Sequence, residues 1–183
     1  SLAKGTSKAK NLLMSEDVVA TIEAVRRLGI KVTVKKKECK IFGKGIDGYK
    51  YKKNLTIDAQ NSGTLGRLIL GLLVNSPETI KLVGDKSLSK RDFKRVSGPL
   101  SKFGATFKLR SNNFLPLTIY GSPNLKPIKY YENKGSAQCK SSIIFAAMRT
   151  KGTTTIKAKK SRNHTELLCR HLKLPISIQS SKS

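Results

Sequence analysis

A chain of 183 residues can form one ordinary domain with its own core, and a hydrophobic share of 38% with 6% aromatics and no Trp is that of a water-compatible globular chain. The longest apolar run, about residues 68–74, is too short for a membrane-spanning helix. Cys39, Cys139 and Cys169 form no C-x-x-C pair, which argues against a structural zinc site or a disulfide framework and for free thiols in a reducing cytoplasm. Charge is the unusual bulk property. With 37 Lys and Arg against 11 Asp and Glu the net charge is +26, a field that attracts nucleic acid, acidic membranes or phosphorylated metabolites, and composition alone favours a basic nucleic-acid-binding domain.

In chain order, Ser15 stands as an N-cap before Glu16 and Asp17, which suit the positive end of a helix. Val18, Val19, Ile22, Val25 and Leu28 then recur at helical spacing as a core face, and Gly29 supplies the stop. A polar Ser/Gly loop at residues 61–64 opens an apolar helix over 65–74, followed by a strand at 79–83, a helix over 89–103 and strands at 105–109 and 117–120. A second loop at 135–138 opens a helix over 139–148, then a strand at 153–158, a helix over 163–172 and the start of a further strand at 176–179. No opening segment reads as a targeting sequence.

These elements repeat. Arg27-Leu28-Gly29, Lys102-Phe103-Gly104 and Leu172-Lys173-Leu174 each join a helical pattern to an extended one, and Lys4-Gly5-Thr6 matches Ser76-Pro77-Glu78 and Lys151-Gly152-Thr153. Ser62-Gly63-Thr64 matches Ser136-Ala137-Gln138, 74 residues on. The unit reads strand–helix–strand–helix–strand–strand, an α/β layering with parallel strand pairs, with phases of about 1–50, 51–125 and 126–183 in a single partial domain. The first and last units are expected to be incomplete, the first lacking its Ser/Gly loop and opening helix.

Two pairs of loops could carry chemistry. Asn61-Ser62-Gly63-Thr64 and Gly135-Ser136-Ala137-Gln138 precede helices, whose unpaired N–H groups and partial positive charge suit phosphate or carboxylate, though ordinary capping uses the same residues. Gly84 to Arg91 and Ser161 to Glu166 place Arg91 and Arg162 near helix starts, where a bound anion would offset the unfavourable dipole. His164 has no partner that would make it a catalytic group. A Walker loop, a Gly-x-Ser-x-Gly elbow and paired His ligands are all absent from the sequence.

At four places the chain resembles EPSP synthases. Asn61-Ser62-Gly63-Thr64-Leu65-Gly66-Arg67-Leu68 is similar to their N-[AS]-G-T-x-x-R-L loop, and Gly84-Asp85-Lys86-Ser87-Leu88-Ser89-Lys90-Arg91 to G-D-x-S-L-x-x-R-P. Ser136-Ala137-Gln138-Cys139-Lys140-Ser141 is similar to S-A-Q-x-K-S, and Ser161-Arg162-Asn163-His164-Thr165-Glu166 to S-R-D-H-T-E. The resemblance implies a fold of two like domains, each of three βαβαββ units, of which this chain is most of one. It implies transfer of the enolpyruvyl group of phosphoenolpyruvate to shikimate 3-phosphate, with phosphate released and no metal or organic cofactor. A cytoplasmic enzyme that is monomeric at full length is expected, without a specific nucleic-acid or membrane partner.

Carried over by position, the resemblance assigns Ser136, Ala137, Gln138, Ser161 and Arg162 to shikimate 3-phosphate. It assigns Gly63, Arg91 and Gln138 to phosphoenolpyruvate, with Asn61, Thr64 and Arg67 shaping that loop. The family's N-terminal G-D-K-S-x-S-x-R segment and its second domain, with the catalytic Asp and Lys, have no counterpart here, so no catalytic residue is assigned and the isolated chain is expected to be inert. Asn163 stands for the family's Asp and Asp92 for its Pro. The related UDP-N-acetylglucosamine enolpyruvyl transferases fit less well, since their catalytic Cys loop is missing from the segment Gly84 to Arg91.

Overall fold

A computed structural model describes residues 2–179. The elements follow the repeat: β1 (Lys4–Ala9), α1 (Glu16–Arg27), β2 (Lys31–Lys35) and β3 (Glu38–Lys44); then β4 (Leu55–Asp58), α2 (Gly63–Leu72), β5 (Ile80–Val83), α3 (Lys94–Ser101), β6 (Thr106–Arg110) and β7 (Phe114–Tyr120); then β8 (Lys129–Glu132), α4 (Ala137–Ala147), β9 (Thr155–Ala158) and α5 (His164–His171). The middle unit is complete, and each unit owns its own sheet. The sheet orders are β1-β3-β2, β4-β5-β7-β6 and β8-β9 among the described residues.

The ladders show the unit's design. β4 runs parallel to β5, and β8 parallel to β9, because a helix crosses between them. The closing strands are antiparallel, β5 to β7 and β7 to β6, just as β1 pairs with β3 and β3 with β2. Register refines the repeat. Ser7 pairs with Ile41 as Ile80 pairs with Ile119, which sets Lys4 against Pro77, one residue from the match read in the sequence.

Each sheet turns one face inward. In β7, Leu115, Leu117 and Ile119 are buried and alternate with outward Pro116, Thr118 and Tyr120. The principal core joins these to Leu65, Ile69 and Leu70 of α2, Val96 and Leu100 of α3, and Ile143 and Ala146 of α4. The helices α2 and α4 lie innermost, buried on most sides, and pack on one another so closely that a Cβ at Gly71 would fall 2.0 Å from the Ser142 carbonyl oxygen.

Several expectations are corrected. Ser15 occupies the N-cap of α1, but its side chain makes no capping bond. The deepest residues of that helix are Ala20, Ala24 and Leu28, while Val19 is 43% exposed, because the small alanines admit the close approach of neighbouring elements. The single helix expected over 89–103 is a 3-10 turn at Leu88–Lys90 and a separate α3. The break falls at Arg91, which is extended, and at Asp92, whose carboxylate accepts from the N–H groups of Lys94 (2.8 Å) and Arg95 (3.4 Å). Residues 176–179 form no strand, having no ladder partner. The ends of α1, α3 and α5 share one device, a left-handed residue after the helix: Gly29 (φ 83°), Gly104 (φ 118°) and Lys173 (φ 55°).

Candidate anion-binding site

The parallel pairs end where the Ser/Gly loops begin. β4 leads into residues 59–62 and α2; β8 leads into residues 133–136 and α4. The side chains of Ser62 and Ser136 cap these helices, accepting from the N–H groups of Leu65 (3.1 Å) and Cys139 (3.3 Å). Both loops are held from behind by a carboxylate at the strand end. Asp58 accepts from the Gln60 N–H at 2.8 Å, and buried Glu132 accepts from the N–H groups of Ser136 (2.8 Å) and Lys134 (3.2 Å). Glu132 was not singled out from sequence. The signal was present, an acidic residue at the same repeat position as Asp58, four residues before the capping serine.

Ser136, Ala137 and Gln138 meet Ser161 and Arg162 around an open hollow of about 380 Å³, with Gly135 completing its lining. The N-terminal end of α4 faces this hollow. Arg162 is exposed, whereas the Ser161 hydroxyl is buried without a hydrogen-bond partner. His164, the first residue of α5, is exposed, and Asn163 occupies the N-cap without a capping bond.

The second group of predicted residues forms a cationic cluster. Gly63 opens α2 beneath two guanidinium groups: a Cβ there would lie 2.7 Å from Arg67 Nη1 and 3.1 Å from Arg91 Nη1. Arg67 is 7% exposed and stacks over Phe93, 5.4 Å from the ring centre. Burial pushes its guanidinium below the ordinary value, and neighbouring Arg95 and Arg91 push the same way. Its Nε is buried and unpartnered. A site rich in cations, one of them with spare donor capacity, favours an anion. Asn61 lies at the loop edge and donates from Nδ2 to Asp85 Oδ2 at 2.7 Å, and Asp85 Oδ1 accepts from the Leu88 N–H at 2.6 Å.

Gln138 joins the two groups. Its Oε1 accepts from Arg67 Nη1 at 2.8 Å and its Nε2 donates to Thr64 Oγ1 at 3.0 Å. All the residues singled out from sequence therefore fall into two adjoining groups linked by one side chain, apart from Asn61, which connects through Asp85. Among the described residues no group of three His, Cys, Asp or Glu is placed to hold a metal ion, and no helix is long and apolar enough to cross a membrane.

Fold and loops together define a repeat-built α/β domain of the enolpyruvyl transferase type. The family model for EPSP synthase (3-phosphoshikimate 1-carboxyvinyltransferase) matches residues 1–183, and the chain belongs to that family. It is 45% identical over 168 residues to the 3-phosphoshikimate 1-carboxyvinyltransferase of Streptococcus mutans serotype c, covering 91% of this chain and 39% of the relative. It is 42% identical over 167 residues to that of Streptococcus pyogenes serotype M2, with 90% and 39% covered. The EPSP synthase structure from Acinetobacter baumannii superposes with a TM-score of 0.90 at 32% identity, covering 100% of this chain and 41% of that one. The chain thus spans about two fifths of the length of the relatives it matches.

Proposed function

We propose that this chain supplies part of the substrate cleft of an enzyme that transfers the enolpyruvyl group of phosphoenolpyruvate to shikimate 3-phosphate. In that reaction the enol carbon loses its bond to phosphate oxygen and gains an ether bond to a hydroxyl of the acceptor, and inorganic phosphate leaves. Residues 1–183 make up most of one of two domains, with repeat boundaries near 50 and 125. Ser136, Ala137, Gln138, Ser161 and Arg162 hold shikimate 3-phosphate. Gly63, Arg91 and Gln138 hold phosphoenolpyruvate, and Asn61, Thr64 and Arg67 shape its loop. The groups that move protons lie outside this chain, so the isolated polypeptide binds anions and turns nothing over.

One observation carries the reading: Gln138 ties a guanidinium cluster to a hydroxyl-lined helix mouth, so two anions can be held side by side. Fixed donors of this kind place the reacting groups before reaction and stabilise charge that develops between them. The family and the similarity of relatives named for this transfer support the same reading, and nothing in the comparisons favours nucleic acid.

The test is calorimetric titration of the purified chain with shikimate 3-phosphate, with phosphate release measured after adding phosphoenolpyruvate. The expected result is saturable binding, abolished by Arg162→Ala, and no phosphate release. Absence of binding overturns the assignment of Ser136 to Gln138. Phosphate release by this chain alone overturns the division of labour between it and the rest of the enzyme.

A further inference from the structure

Directly behind the hollow, the first turns of α4 and α5 are fastened together. Lys140 Nζ lies 2.5 Å from Glu166 Oε1, with side chains only 10% and 12% exposed. One residue along on each helix, the hydroxyls of Ser141 and Thr165 are 2.7 Å apart. The two ties join the helix that begins at Ser136 to the helix that follows Arg162, so they span the two walls of the hollow.

Helix packing alone does not account for them. Buried ion pairs seldom add stability over an apolar contact of the same shape. The preceding repeat shows the apolar alternative: Gly66, at the position equivalent to Lys140, sits under Phe93, where a Cβ would meet the ring at 3.2 Å. The ion pair also leaves acceptor capacity unspent. Glu166 Oε2 is buried without a partner, as is the hydroxyl of Ser161 on the wall of the hollow.

We infer that the Lys140–Glu166 pair and the Ser141–Thr165 bond form a staple that sets the width of the anion hollow, and that both pairs are positioning residues acting through Ser136 to Gln138 on one side and Ser161 and Arg162 on the other. The inference rests on the anion-binding reading above. It separates from simple electrostatics by sign. Removing the Glu166 charge makes the hollow more positive, which by charge alone tightens anion binding. A staple predicts the reverse, because the walls lose their spacing.

The experiment is a titration of the 15N-labelled chain with inorganic phosphate, followed through its amide NMR signals. In the unaltered chain the signals of Gly135 to Gln138 and of Arg162 are expected to shift along one saturation curve. Glu166→Gln, nearly the same shape, is expected to weaken binding about tenfold and to separate the two groups of signals, while those of Gly63 and Thr64 behave as before. Thr165→Val, which removes only the hydroxyl tie, is expected to weaken binding about threefold and serves if the first variant does not fold. Unchanged or tighter binding in a folded variant overturns the staple. No saturable response at 135–138 in the unaltered chain overturns the anion-site reading itself, and the staple with it.

Discussion

Thr64 and Gln138, 74 residues apart and at the same position of successive repeats, are hydrogen-bonded to each other at 3.0 Å. Contact between like or neighbouring positions recurs down the helices. The Ser142 hydroxyl donates to the Arg67 carbonyl, and past the helix ends Arg149 Nε donates to Asn75 Oδ1. The loops therefore touch because α2 and α4, corresponding helices of one duplicated unit, pack against each other, and the candidate site lies along that seam.

Gln138→Ala removes the acceptor of Arg67 Nη1 and the donor to Thr64. A guanidinium that is 7% exposed then lacks its side-chain partner, and the loss is expected to cost about 2 kcal/mol of stability, measurable by urea unfolding. Gln138→Glu offers Arg67 a carboxylate instead. It is expected to keep stability within about 1 kcal/mol while abolishing phosphate binding, since like charges repel in the same hollow.

Gly71→Ala tests the seam itself. The added methyl meets a backbone oxygen, which cannot swing aside, so α2 and α4 must separate. A loss of about 3 kcal/mol is expected in urea unfolding, at the upper end of ordinary overpacking. The loops at the helix mouths should lose their contact as well, read as sharper dependence of the Thr64 and Gln138 amide exchange on denaturant.

Gly63→Ala behaves differently. Its methyl meets the tips of Arg67 and Arg91, which are side-chain ends and can move, so the thermal midpoint should hardly change. Affinity for an anion at the guanidinium cluster is expected to fall about tenfold, near 1.4 kcal/mol, because the space between backbone and guanidinium groups is filled. Equal affinity in the variant would show that the anion does not approach Gly63.

Alkaline pH should weaken the fold through one buried and one half-buried group. Burial pushes the Cys169 thiol above its ordinary 9.0 and the Tyr130 phenol above its ordinary 10.0. Both therefore keep their protons longer in the folded chain than in the unfolded one. Their contribution is whole below the unfolded values and is lost as pH rises through the folded ones. The urea midpoint is expected to drop between about pH 8 and pH 10.5, less steeply in Cys169→Ser with Tyr130→Phe. An unchanged pH dependence in that variant would assign the loss to other groups.

Much of this was legible in the residues because the signals were local. Ser62, Ser136 and the left-handed Gly29 and Gly104 mark helix ends by their own chemistry, and their spacing gave the unit and its order of elements. Gly63 and Arg91 stood out as loop and helix-start residues for the same reason, whereas Arg67 was reached through the resemblance alone. What stayed hidden depends on contacts far along the chain. The sheet that each unit keeps to itself, the bridge from Gln138 to Arg67, and the tie from Lys140 to Glu166 require two segments to meet in space. The break before α3 is hidden in the same way, because Asp92 reads as an ordinary polar residue until its carboxylate is found on the N–H groups of Lys94 and Arg95. In place of the family's Pro, that carboxylate starts the helix.

Where like positions face each other, a symmetrical cradle would be expected to receive a symmetrical guest. Here the counterparts have parted company: Gly63 faces the role of Ala137, Gly66 that of Lys140, and Arg67 that of Ser141. One half presents two guanidinium groups over bare backbone, the other hydroxyls and the exposed Arg162, with an ion-paired lysine behind them. The seam consequently has a direction. On the function proposed above, two unlike anions lie across it in one order and not in the other, and a duplicated framework acquires a front and a back without any change of backbone plan.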